Sequence, residues 1–138
     1  MKALHCISVM LVIALVGTAS AASLTTAPIS VSCDGTQEWS CSALNNRPAT
    51  TAPLTMTVTI CITSPAAFAG CTSSTGSVAP GATLSHQVQP PAICPSNPFE
   101  AFCTITPSSS KTRGALCNID TCASQPPCGG PIACTDAR

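Results

Sequence analysis

The side chain best suited to acid-base chemistry is His86, one of two histidines in the chain. A serine hydrolase would need it beside a hydroxyl nucleophile and an orienting carboxylate, and no G-x-S-x-G elbow marks such a nucleophile. By alternation His86 shares a strand face with Leu84 and Val88, which is the pattern of a partly buried strand residue or a surface side chain. The acids Asp34, Glu38, Glu100, Asp120 and Asp136 are far apart, and no local spacing pairs two of them as a glycosidase requires. Solvated acids at turns and strand ends are the simpler reading. No catalytic or cofactor-binding residue is assigned on these grounds, and no cofactor is expected.

Cysteine says more. The chain has 11. Cys6 stands near the start of the N-terminal apolar run and not after it, and the others are Cys33, Cys41, Cys61, Cys71, Cys94, Cys103, Cys117, Cys122, Cys128 and Cys134. An even number in an exported chain reads as about five disulfides, with a connectivity that sequence does not fix. The spacing C-x4-C-x5-C-x5-C from Cys117 to Cys134 also suggests thiolate ligands for zinc. That stretch has no histidine, and zinc knuckles belong mainly to reducing compartments, so disulfides are expected there and no metal. No C-x-x-C supports thioredoxin-like exchange. No adjacent Cys-Cys pair supports a hydrophobin or a plant-type lipid transfer protein. Cysteines close in sequence are expected to pair locally, first Cys61 with Cys71 and Cys94 with Cys103, since each pair brackets a turn-rich loop. Pairing of Cys41 with Cys103 would instead staple the core of a sandwich.

Export is read from the first residues. Met1-Lys2 is a short basic start, Leu4 to Val16 is almost wholly apolar, and Ala19-Ser20-Ala21 is a small-x-small cleavage site, so residues 1–21 are expected to be a signal peptide. The apolar run is shorter than the ~18 to 20 residues of a membrane-spanning helix, and no later segment replaces it. A soluble, secreted or periplasmic mature protein without a membrane span is the expectation. Without Lys2, four cations (Arg47, Lys111, Arg113 and Arg138) stand against the five acids, a formal charge near minus one. Scattered cations build no patch for phosphates, so no nucleic acid partner is expected, and anionic lipid is disfavoured on the same ground.

Thr, Ser, Ala, Pro and Val dominate the mature chain, a composition of strands and turns. From Leu54 to Thr63, Leu54, Met56, Val58, Ile60 and Ile62 alternate with Thr55, Thr57, Thr59, Cys61 and Thr63. This is a half-buried strand with Cys61 on its threonine face, where a disulfide would staple an outer surface or an edge. Further strands are expected at Ile29 to Cys33, Glu38 to Leu44, Ala82 to Gln89, Ala101 to Thr106 and Arg113 to Cys117. Asp34-Gly35 and Pro80-Gly81 mark turns between them, the second with glycine where a type II turn needs positive φ. Ser108-Ser109-Ser110 reads as a solvated hairpin tip. These elements make residues 22–117 a β-sandwich domain and 118–138 a cysteine-rich tail without strand periodicity. With few aromatics in the core, disulfides worth about 2 to 4 kcal/mol each supply much of the stability.

In sequence, "CSALNN", the Thr/Val strand, "APGATL", "FCTI" and "TRGALC" over residues 38–117 resemble uncharacterised small exported bacterial proteins with an immunoglobulin-like sandwich. The resemblance implies an immunoglobulin-like β-sandwich; with the cysteine content, the fold class expected is an all-β, small, disulfide-rich immunoglobulin-like β-sandwich, and the irregular cysteine-rich tail from Asn118 onward lies outside the resemblance. It implies no activity and no site residue.

The function expected from these features is that of a non-enzymatic structural, adhesive or binding protein. Its loops or strand edges would meet a protein or cell-surface partner. The alternative is a small secreted hydrolase using His86, or a protease inhibitor presenting the braced loop Ser64 to Gly70.

Overall fold

The computed structural model describes residues 22–31, 37–90, 98–107, 111–120 and 131–138. The expected signal peptide, the Asp34-Gly35 turn, the Ser108 to Ser110 tip, and Cys33, Cys94, Cys122 and Cys128 lie outside the described residues.

Nine strands follow one another: β1 (Leu24–Thr25), β2 (Ile29–Val31), β3 (Gln37–Asn45), β4 (Leu54–Ser64), β5 (Gly70–Val78), β6 (Thr83–Val88), β7 (Phe99–Thr106), β8 (Thr112–Asp120) and β9 (Pro131–Asp136). A 3-10 turn, Ala66–Phe68, separates β4 from β5. One sheet runs β1-β7-β4-β5 with β2 also on β7, and the other runs β6-β3-β8-β9. All pairings are antiparallel. The two sheets pack as a disulfide-rich β-sandwich, as the composition implies. No helix among the described residues is long and apolar enough to cross a membrane.

The period-two pattern of β4 places Met56, Val58 and Ile60 in the core, with Leu54 and Ile62 half-buried at its rim, while Thr55 and Thr63 are exposed. From the other sheet come Trp39, Cys41 and Ala43 of β3 and Leu116 of β8. Trp39 meets Phe99 of β7 edge to face at 6.3 Å, and Phe68 of the 3-10 turn meets the same ring at 5.4 Å. Three aromatic rings thus carry contact from one sheet to the other, a geometry that stabilises beyond area burial alone. Gly114 of β8 packs directly against Ile105 of β7 in the other sheet. A Cβ there would collide with Ile105 Cδ1 and stand 2.8 Å from the Ser42 carbonyl oxygen.

The Pro80-Gly81 turn forms as its residues require. Gly81 has φ +79° and the Ala82 N–H donates to the Ala79 carbonyl at 3.0 Å. Buried Asn45 anchors this turn. Its Nδ2 donates to Val78 O at 2.8 Å, its N–H donates to Ala82 O, and its carbonyl accepts from Gly81 N–H.

The disulfides show what is stapled. Cys41 and Cys103 join β3 to β7 across the sandwich, with a sequence separation of 62. Cys103 is therefore not the partner of Cys94, and this pairing fastens the core rather than a loop. Cys61 bonds Cys71 between β4 and β5, on the threonine face as expected, and Cys117 bonds Cys134 between β8 and β9. In both cases the two cysteines are direct cross-strand partners. One edge strand of each sheet, β5 and β9, is thus covalently tied to its neighbour.

Three expectations need adjustment. Gly70–Val78, for which no strand was expected, forms β5 although Val78 is its only large apolar residue, because ladder bonds to β4 hold it. The tail is strand at both ends: residues 118–120 finish β8 and Pro131–Asp136 forms β9. β7 and β8, on either side of Ser108 to Ser110, lie in different sheets and so do not form the expected hairpin.

Candidate functional site

His86 lies on β6 opposite Cys41 of β3, so its side chain faces the gap between the sheets and is half-buried. Its Nε2 is 2.9 Å from the Thr72 hydroxyl on β5, a bond that ties the last strand of one sheet to the last strand of the other. A hydroxyl beside an imidazole is two-thirds of a hydrolytic triad, but among the described residues no carboxylate reaches the ring to orient it. Glu38 and Asp136 lie on the exterior of the β6-β3-β8-β9 sheet, and Glu100 on the exterior of the other. Asp120 ends β8, and Asp34 lies outside the described residues. No group of three or more His, Cys, Asp or Glu among the described residues could hold a metal ion. The Ser64 to Gly70 loop is a 3-10 turn whose Phe68 leans on Phe99, leaving the alanines at 66, 67 and 69 exposed.

The polar concavities lie elsewhere. On the exterior of the β6-β3-β8-β9 sheet, cross-strand partners Ser85, Ser42, Ala115 and Asp136 form a row. Its small side chains make a trough between Leu44, Thr83 and Arg113, with a volume of ≈ 320 Å³. Ser42 and Ser85 hydroxyls bond each other across it at 2.9 Å.

Asp136 is also a wall of a second, deeper groove of ≈ 480 Å³, lined by Thr25, Ala27, Cys134, Thr135, Asp136 and Arg138. This groove arises at the seam of the sandwich. The chain around β1 meets the end of β9 through two hydrogen bonds, Thr25 N–H to Arg138 O at 3.0 Å and Arg138 N–H to Thr25 O at 3.1 Å, with Thr26 facing Ala137. Beyond that point β2 follows β7 in one sheet and β9 follows β8 in the other, and the two strands stay close across the seam. Strand alternation then sets which groups look into the gap. Ala137 N–H turns to Gly114 O on β8, while Arg138 turns away from β8. The main-chain groups of Asp136 and Cys134 therefore also point away from β8, and those of Asp136 face Ala27, next to the bridge between Thr26 and Ala137.

Three of the chain's few charged side chains, Arg113, Asp136 and Arg138, line these two grooves. Asp136 and Arg138 are exposed, and neither makes a side-chain ion pair among the described residues. The two stand two positions apart on one face of the strand. The available signal was the alternation of Cys134, Asp136 and Arg138 beside a proline-started segment, hidden by the reading of the whole tail as irregular. No family model, curated protein or solved structure matches this chain.

Proposed function

We propose that the protein is a non-enzymatic extracytoplasmic binding or adhesive module, in which a stapled, immunoglobulin-like sandwich holds a polar groove open to a protein or cell-surface partner. The observation that carries this reading is the seam groove, where Asp136 and Arg138 stand exposed and, among the described residues, without ion-pair partners, in a chain that is only 7% charged. An unpaired carboxylate and guanidinium on a rigid strand favour a partner of complementary charge, and a preorganised rim limits the entropy lost on binding. The inter-sheet Cys41–Cys103 bond, two residues from buried Trp39, supports the immunoglobulin-like description. An oxidising destination is supported by the three described disulfides.

The hydrolase alternative has only the His86–Thr72 pair in its favour, and that pair lies in neither groove. The inhibitor alternative rests on the Ser64 to Gly70 loop, which is short and folded onto Phe99.

The test uses the oxidised, immobilised protein exposed to envelope and culture-medium fractions, beside an Asp136→Ala, Arg138→Ala variant. Recovery of a component that the variant loses supports the reading. Recovery that is the same for both, or a hydrolytic rate abolished by His86→Ala, contradicts it.

A further inference from the structure

We infer that the outer face of the β7-β4-β5 sheet is an ice-binding surface, on which ranks of hydroxyl groups hold water in crystalline order. The inference goes beyond the seam groove and does not depend on it. Its first ground is register. Thr104 of β7, Thr59 of β4 and Ser73 of β5 are direct cross-strand partners, and two residues along so are Thr106, Thr57 and Thr75. Thr55 and Ser77 continue the ranks on β4 and β5. The β4 and β7 members point outward, since the residues that alternate with them, Met56, Val58, Ile60, Cys103 and Ile105, are in the core. On β5, Ser73, Thr75 and Ser77 are exposed. Neighbouring hydroxyls therefore repeat at about 4.8 Å across the strands and about 6.8 Å along them. The prism face of hexagonal ice presents water oxygens in rows with two unequal repeats of similar length.

The second ground is chemistry. No charged residue stands in these ranks, and Glu100 is reached on this face only past the rung of Phe102, Cys61 and Cys71. A phosphate surface would need cations here, and a polysaccharide chain would need aromatic rings to lie on. Threonine suits an ordered water layer instead, because its hydroxyl both donates to and accepts from lattice water while its methyl group fills the hollow between waters. Within the array the Thr57 and Thr75 hydroxyls bond each other at 2.8 Å. Those of Thr59, Thr104 and Thr106 bond no protein group among the described residues, so they are left to water.

The third ground is that the ranks are fixed before any ice is met. The Cys61–Cys71 disulfide locks β5 to β4 one rung from Thr59 and Ser73, and β4 is laddered on both sides. Threonine is stiff at χ1, so little side-chain freedom is lost when its hydroxyl is held by a lattice. A sheet twist of about 20 to 25° per strand confines the match to neighbouring strands. The two complete ranks on β7, β4 and β5 are that patch.

The test is partition of the oxidised full chain into a slowly growing ice front, beside a co-dissolved protein of similar size that does not bind ice. The habit of a single ice crystal in the solution is the second reading. The inference predicts enrichment in the ice and faceted crystals. Thr59→Lys sets a charge in the middle of the array and should lower the enrichment to that of the co-dissolved protein. Thr75→Lys does the same from the exposed edge strand, where folding is least at risk, and the disulfides and thermal unfolding of both variants are checked first. Gln87→Lys, an exposed change on the outer face of the other sheet, should enter the ice as the wild type does. Exclusion of the wild type from the ice overturns the inference, and so does enrichment that both array variants retain. Loss with Gln87→Lys as well would show an effect of added charge alone and also overturns it. Retention on crystalline chitin or cellulose that Thr59→Lys abolishes, without entry into ice, would assign the face to a polysaccharide and overturns it too.

Discussion

Individual residues hold the sandwich together by contacts that their neighbours in sequence do not announce. Gly114 is required by proximity rather than by backbone conformation, since a methyl group there meets Ile105 and the Ser42 carbonyl. Gly114→Ala should therefore destabilise the oxidised protein by about 1 to 3 kcal/mol, the usual cost of overpacking, as measured by denaturant unfolding with disulfides intact. Unchanged stability would mean that the sheets can part locally. Asn45 and its bond to Val78, 33 residues away, were not legible for the same reason: the partner is supplied by the fold. The Pro80-Gly81 turn was legible because glycine's tolerance of φ +79° is a local property. His86 was legible as a strand residue facing inward, but its hydroxyl partner Thr72 was not, since the pairing exists only once β5 and β6 stand at the same side of the sandwich. Replacing His86 by alanine should cost no more than about 1 kcal/mol of stability, the net worth of one exposed hydrogen bond.

At the scale of elements, legibility followed apolar periodicity. The β4 strand announces itself because each inward position is large and apolar, and β3, β6, β7 and β8 carry weaker forms of the same alternation. The β5 strand has glycine, serine and threonine inside and out, and β9 is short and begins with proline. Both owe their places to ladder partners and to a disulfide, neither of which leaves a periodic trace. Their dependence on covalent bonds is measurable. Reduction should open β9 to a broad-specificity protease before β4 is cut, since β4 also has core packing and ladders on both sides. Peptide masses from limited proteolysis with and without reductant would show the order, and equal cleavage of residues 131–138 in both conditions would show that the Cys117–Cys134 bond does not hold that strand.

The whole molecule is two sheets bonded through their centre and latched at two edges. In the chain-entropy account the stabilisation grows with the loop closed, so the Cys41–Cys103 bond, spanning 62 residues, is worth about 4 kcal/mol and the Cys61–Cys71 bond, spanning 10, about 2.7. Paired cysteine-to-alanine variants should keep that order in thermal unfolding. A larger loss from removing Cys61–Cys71 would place the main load at the edge. The proposed export is tested at this scale too: protein recovered outside the cytoplasm should begin at Ala22 or Ser23 when its terminus is read by mass, and an intact Met1 terminus there would contradict it.

The central claim is that this rigid body acts by binding at the seam groove rather than by chemistry at His86. Amide hydrogen exchange of the oxidised protein, with and without the component recovered on it, reads the claim most directly. The account predicts new protection along residues 134–138 at the groove, with exchange on β5 and β6 around Thr72 and His86 unchanged. Protection that appears around His86 and Thr72 while residues 134–138 exchange as before would contradict it.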